Sequence, residues 1–271
     1  MSEALLTRIM EALERIAPPP PTSADPLVAP AYVWRDGALV AARDFAPLPL
    51  ALLEGIDPQK AQLTANLRRL AQGLPAHDVL LWGARGTGKS ALVKSAVGQV
   101  QAEDGALALI EVAGDTLDAL PPLFDRIANM DRAFAIFIDD LGFADGDSGP
   151  RRLRSLLEGG AEARPANARL LVTANRRHIV ERHISEQDGS INPRDVADDK
   201  LALADRFGLS LGFHVVDQPT YVAMVAGYAA AHGLTFDPQE AIGWATTRGH
   251  RSGRVAWQYV VELAGRRGKR L

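Results

Sequence analysis

Cysteine is absent from all 271 residues, which excludes disulfides, thiolate metal sites and a cysteine nucleophile, and fits a reducing compartment such as the cytoplasm. No apolar run reaches the length of a membrane span. The N-terminal segment MSEALLTRIMEALERI carries acids among its apolar residues and no small-residue cleavage site, so a secretory signal is not expected. A net charge of -3 leaves no global basic field to attract nucleic acid. The six histidines show no metal-ligand spacing, and no internal repeat is evident. What is there is a globular composition: a 47% hydrophobic content supports a sizeable core, in one large domain or two small ones.

The chain is organised around Asp78 to Gln99, DVLLWGARGTGKSALVKSAVGQ. Val79, Leu80, Leu81 and Trp82 form a short apolar run of the kind buried on both faces of a sheet, with Trp82 expected in the core. The run ends at Gly83-Ala84-Arg85-Gly86-Thr87-Gly88-Lys89-Ser90, which fits G-x-x-x-x-G-K-[ST], and Leu92, Val93, Ala96 and Val97 then recur as in a helix. Strand, glycine loop and helix therefore follow in the order of a phosphate-binding loop. Gly83, Gly86 and Gly88 allow backbone conformations in which successive N-H groups, running on to Ala91, converge on one phosphate chain. Lys89 brings a compact positive charge to the β- and γ-phosphates, and the Ser90 hydroxyl is an oxygen ligand suited to Mg²⁺.

Elsewhere, Leu5, Leu6, Ile9, Leu13 and Ile16 mark an amphipathic helix, followed by an extended proline linker from Pro18. That helix either docks on its own domain or holds a partner. Residues 31–43 read as two short strands around Asp36-Gly37. Leu63, Leu67 and Leu70 mark one face of a helix leading into the phosphate-loop strand. Strands are then expected at 106–112, 133–138, 170–173 and 211–216, alternating with helices at 117–128 and 151–158. Residues 221–232, 238–247 and 254–265 read as three helices with no strand between them. The polar, acidic segment 185–199 reads as a surface loop. The expected fold is α/β: a parallel sheet wrapped by helices, over residues 31–217, with a small helical domain over 218–271 and an N-terminal helix and linker over 1–30.

A second constellation lies at the end of the apolar strand AFAIFI, which delivers Asp139 and Asp140 at its tip. Ligands of open α/β sheets lie at the carboxyl ends of the strands. Asp139 is placed to hold Mg²⁺, and Asp140 to orient or deprotonate an attacking water.

The phosphate loop GARGTGKS, the acidic tip FAIFIDD, the strand end Thr173-Ala174-Asn175, the Arg-Phe pair of LADRFGL and a C-terminal helical segment with Gly253-Arg254 together resemble the AAA+ ATPases. Within them the chain is similar to the bacterial domain of unknown function 815 group, through LLWGARGTGKS, DDLGF, LLEGGAEARP, TANRRH and ADRFGL. The resemblance implies a P-loop NTPase sheet with a helical lid, ATP and Mg²⁺ as ligands, and a homo-oligomer. It implies that Asn175 positions the lytic water, that Arg206 acts in trans as an arginine finger on a neighbouring subunit's nucleotide, and that Arg254 contacts nucleotide from the lid, with Arg251 as the alternative. Leu53, Gly55 and Ile56 match the segment that packs near adenine. Many members of the superfamily carry Asp-Glu where this chain has Asp139-Asp140, so the implied base is one methylene shorter and slow, switch-like hydrolysis is expected.

Three other readings stand beside this one. The first is a nucleotide-switched loader or scaffold with little turnover and an unknown protein client. The second is a P-loop kinase or GTPase, although the guanine-specifying N-K-x-D is absent. The third is nucleic-acid binding through Arg151-Arg152-Leu-Arg154 or the tail Arg266 to Arg270, which is not favoured because short basic runs are more often solvated faces. Arg206 has a plain alternative as a surface ion pair with Asp205, and His178 and His183 read as surface or capping residues.

Overall fold

Among the described residues, the alternation of short apolar runs with amphipathic ones builds a seven-stranded sheet between two helical layers. The structure is a computed structural model and describes residues 3–16, 23–104, 106–113, 117–142, 149–158, 164–175 and 206–271. The strands are β1 (Ala31–Arg35), β2 (Ala38–Ala41), β3 (Val79–Gly83), β4 (Leu107–Val112), β5 (Ala133–Ile138), β6 (Ala168–Ala174) and β7 (Leu209–Phe213), in the order β2-β1-β4-β5-β6-β3-β7. All neighbours pair in parallel except the β1–β2 hairpin. Its turn uses Asp36 at φ 50° and Gly37 at φ 73°, the left-handed pair such a tight connection needs.

Residue alternation along the strands sorts the core into two faces. Val79, Leu81, Leu109 and Phe137 face helices α2 (Asp57–Ala71) and α3 (Lys89–Asp104), where Leu63, Leu67 and Leu92 meet them. Leu80, Ile110, Ile136 and Val172 face α4 (Leu120–Ile127) and α5 (Gly149–Glu158). All six residues of β5 are buried, as expected of a strand at the centre of a covered parallel sheet.

Three further helices, α6 (Gln218–Ala231), α7 (Pro238–Thr247) and α8 (Gly253–Arg266), pack around Tyr221, Val225, Ala241, Tyr259 and Val260. Each starts on a side-chain cap: Asp217 accepts from Thr220 N, Asp237 from Gln239 N and Ser252 from Val255 N. The N-terminal helix α1 (Glu3–Ile16) forms, with Leu5, Leu6, Ile9 and Met10 exposed. Among the described residues no helix is long and apolar enough to cross a membrane.

Three sequence expectations are corrected. The last strand runs over 209–213 rather than 211–216, because β3, its partner, ends at Gly83 opposite Phe213 and offers no ladder beyond. The strand expected at 170–173 is longer, 168–174, because β5 and β3 pair with it on both sides. Trp82 is half-buried rather than in the core: at the tip of β3 its indole N-H donates to Ser210 Oγ at 3.0 Å and its ring meets the His214 edge. The loop over 185–199 and His178, His183 and Asp205 lie outside the described residues.

Candidate functional site

The loop between β3 and α3 is shaped by positions that tolerate only glycine. Gly83 sits at φ 142°, and a Cβ there would lie 2.1 Å from the Phe213 carbonyl oxygen. Gly86 and Gly88, at φ 79° and 100°, take left-handed backbone conformations that a side chain would disfavour, the kind that lets successive N-H groups converge on an anion. The loop is strapped from within. Thr87 Oγ1 donates to Ala84 O at 2.8 Å, and Lys89 Nζ donates to Gly83 O and Ala84 O, both at 2.8 Å. Lys89 stands at the start of α3, 7% exposed. Burial pulls its ammonium below the ordinary lysine value, Asp140 and Asp139 oppose that shift, and Arg85 adds to it.

Beside the loop lies a cavity of about 270 Å³. Residues 86–91 form one wall, Leu53 and Ile56 another, and Tyr228, Arg254 and Trp257 of the C-terminal helices close it. The Tyr228 and Trp257 rings meet edge to face at 5.6 Å. Gly253 N donates to Gly86 O at 3.2 Å, so the start of α8 touches the loop directly. Arg254 thus lines the cavity, whereas Arg251 is turned toward Gln218, its guanidinium 3.4 Å from the side-chain oxygen.

The tip of β5 meets the loop. Asp139 Oδ1 accepts from Ser90 Oγ and from Thr173 Oγ1, both at 2.6 Å. Asp140 sits at φ 52°, a left-handed conformation that costs a non-glycine residue on the order of 1 kcal/mol. It is held there by its N-H donating to Thr173 Oγ1 at 2.8 Å. Its carboxylate accepts from Asn175 Nδ2 on one oxygen and from Arg85 Nη2, at 3.1 Å, on the other. Ser90, Asp139 and Thr173 offer hydroxyl and carboxylate oxygens only, the donor chemistry of a hard divalent cation. Mg²⁺ is commonly held through one or two carboxylates and completes its shell with water and phosphate oxygens, a demand that Asp139 beside Ser90 fits.

The sequence-expected residues Lys89, Ser90, Asp139, Asp140 and Asn175 therefore converge, and Arg254 lines the adjoining cavity. Arg206 does not join them: it forms an ion pair with Glu158 at the end of α5, 2.9 Å apart. Thr173 enters the sequence pattern only within the strand end Thr173-Ala174-Asn175, with no role of its own, although a hydroxyl directly after the apolar LLV is its signal. Arg85 enters it only as a loop position. The basic tail is engaged within the chain: Arg266 pairs with Glu240 and Glu262, Arg267 donates to Thr235, and Lys269 to Gly233 O. Arg152 pairs with Asp118.

Solved structures with the same fold include RuvB of Thermotoga maritima, in a single-site variant, at 16% identity and a TM-score of 0.54, covering 79% of this chain and 63% of RuvB. Aeropyrum pernix ORC2, in ADPNP-ADP complexes, is similar at 16% identity and a TM-score of 0.56, over 84% of this chain and 67% of ORC2. Aeropyrum pernix ORC1, in complex with DNA, is 17% identical with a TM-score of 0.55, over 81% and 63%. This chain thus spans less than two thirds of the RuvB length. No curated protein matches the sequence. The sheet order, loop and C-terminal helices are those of the AAA+ P-loop fold. Matched over residues 28–267, the chain belongs to the family described as protein of unknown function (DUF815).

Proposed function

We propose that the protein binds magnesium ATP in the cavity between the phosphate loop and the C-terminal helices and hydrolyses it slowly, driving a conformational change in a protein client. The observation that carries this reading is the contact of Ser90 with Asp139, 2.6 Å apart, which joins the loop to the acidic strand tip. Lys89 and the loop amides from Gly83 to Ala91 bind phosphate. The apolar cavity between Ile56 and the Tyr228 and Trp257 rings receives the base. Ser90 and Asp139 hold Mg²⁺, which when bound neutralises phosphate charge. Asp140 accepts the proton of a water whose oxygen bonds to the terminal phosphorus as the bond to the β-phosphate oxygen breaks, with Asn175 orienting that water. Arg254 brings the C-terminal helices onto the nucleotide.

Arg206, turned to the chain's own surface, is read as a finger inserted at a neighbouring copy's nucleotide. Such a finger contributes about 10³ to 10⁵ in rate. An exposed pair of the kind it makes with Glu158 contributes at most about 1 kcal/mol, so exchanging that pair for a phosphate costs little. Calorimetry with magnesium ATP tests binding, and the absence of heat with folded protein would refute the proposal. Mass photometry with and without ATP, on wild type and Arg206→Ala, tests the shared site: the mutant should assemble yet fail to hydrolyse.

A second reading, a loader or scaffold that binds ATP with little turnover, draws support from Asp140, whose two carboxylate oxygens are both occupied. Turnover indistinguishable from that of Asp140→Ala would favour it. Nucleic-acid binding stays the minority reading, since Arg266, Arg267 and Lys269 are spent on contacts within the chain.

A further inference from the structure

Arg85 is the loop's only charged side chain besides Lys89, and it points at the tip of β5 rather than to solvent alone. Its guanidinium lies 3.1 Å from Asp140 Oδ2 while Asn175 takes Oδ1. The backbone of Asp140 is fixed by Thr173 in a left-handed conformation that aims the carboxylate back at the loop. Each acidic residue of the tip is therefore tied to a different loop side chain, Asp139 to Ser90 and Asp140 to Arg85. The two ties differ in kind. A serine hydroxyl on Asp139 occupies a position that a cation-binding pair would keep, whereas a guanidinium on Asp140 takes one of its acceptor sites and sets a positive charge beside the group that a proton from water would join. With the Arg85 side chain 76% exposed and Asp140 55% exposed, the pair is screened and readily opened.

Resting on the ATPase reading above, we propose that Arg85 is a positioning residue that locks Asp140: hydrolysis proceeds only when the guanidinium leaves the carboxylate. The loop thereby restrains the reaction of the nucleotide it binds. Because Arg85 lies in the loop itself, any shift of the loop as phosphates enter also moves the lock.

The test is single-turnover ATP hydrolysis by Arg85→Ala, Arg85→Gln and Arg85→Lys in the full chain, with ATP affinity measured by calorimetry on the same samples. The two neutral variants should hydrolyse faster than wild type by up to about fivefold, the rate equivalent of the ~1 kcal/mol that an exposed ion pair contributes. Their ATP affinity should hold, so that the change falls on kcat and not on KM. Arg85→Lys, which keeps a cation beside Asp140, should bring the rate back toward wild type. Neutral variants that bind ATP normally but hydrolyse at or below the wild-type rate would overturn the lock, and so would variants that no longer bind ATP, which would make Arg85 a phosphate ligand. Wild-type protein that gives no heat with ATP would instead overturn the ATPase reading itself, so the two failures are distinct.

Discussion

The two ends of the parallel sheet use the same side chains in opposite ways. At the amino end, Asp78, just before β3, is 4% exposed; Arg164 Nη2 donates to it at 2.6 Å and Leu170 N at 2.9 Å. Around it Arg169 Nε donates to Ala76 O at 2.6 Å, Asn66 brackets the His77 N-H and carbonyl at 2.9 Å each, and Asn167 Nδ2 reaches the carbonyls of Ile127, Met130 and Arg132. Burial pushes the Asp78 carboxyl up, and the Arg164 guanidinium holds it down. At the carboxyl end, the Arg85–Asp140 pair stands in solvent. A buried pair leaves an uncompensated charge when one partner goes, whereas an exposed pair hands its partners to water. The amino end is thus a staple and the carboxyl end an exchangeable set of contacts, which is what a site that admits and releases a charged ligand requires.

The sharpest way to break the symmetry is Lys89→Ala. It should weaken ATP binding by about 3 kcal/mol or more, over 100-fold by calorimetry, because a desolvated cation on phosphate is removed. Burial of Lys89 opposes its charge while its Nζ satisfies the Gly83 and Ala84 carbonyls, so the two effects offset and the melting temperature should change little. Asp78→Ala should do the reverse. Stranding the guanidinium of Arg164 should lower stability by ~3 kcal/mol, on the order of 6–12 °C in a thermal melt, with ATP affinity retained.

Gly83→Ala probes where the two regions join, since its Cβ would be driven into the Phe213 carbonyl of β7. It should cost about 1–3 kcal/mol of stability and also weaken ATP binding, a double loss that neither of the other variants shows. The smallest effect concerns the helices between the two ends. Arg68 of α2 grips Glu103 of α3 at 2.6 and 2.7 Å, and with Gln99 it holds the Glu103 carboxyl down from 4.5 to about 2. A depressed acid contributes stability above its ordinary value and loses it as the pH falls through the folded value. The melting-temperature gap between wild type and Glu103→Gln should therefore narrow as the pH drops from 4.5 to about 2.

The site was legible in the chain where chemistry and spacing are local. Gly83 to Ser90 spell out a loop and the start of a helix within eight residues, and FAIFI followed by two aspartates can hardly be other than a buried strand with acid at its tip. Thr173 was not legible, because a threonine in a strand is ordinary until the sheet order sets β6 beside β5 and its hydroxyl reaches both Asp139 Oδ1 and the Asp140 N-H. The Arg206–Glu158 pair was not legible either, because the two residues stand 48 positions apart in sequence, while Asp205, the neighbour that the sequence offers, lies outside the described residues.

Local pattern thus determined the strands, the helices, the glycine loop and the identity of the chemical groups, because period, turn chemistry and motif act over a few residues at a time. Tertiary structure decided which groups share an atom: that Arg254 rather than Arg251 faces the cavity, that Trp82 stays half in solvent, and that Arg85 spends its charge on Asp140. Those outcomes depend on strand order and on how α8 docks against the loop, long-range geometry that residue spacing along the chain does not encode.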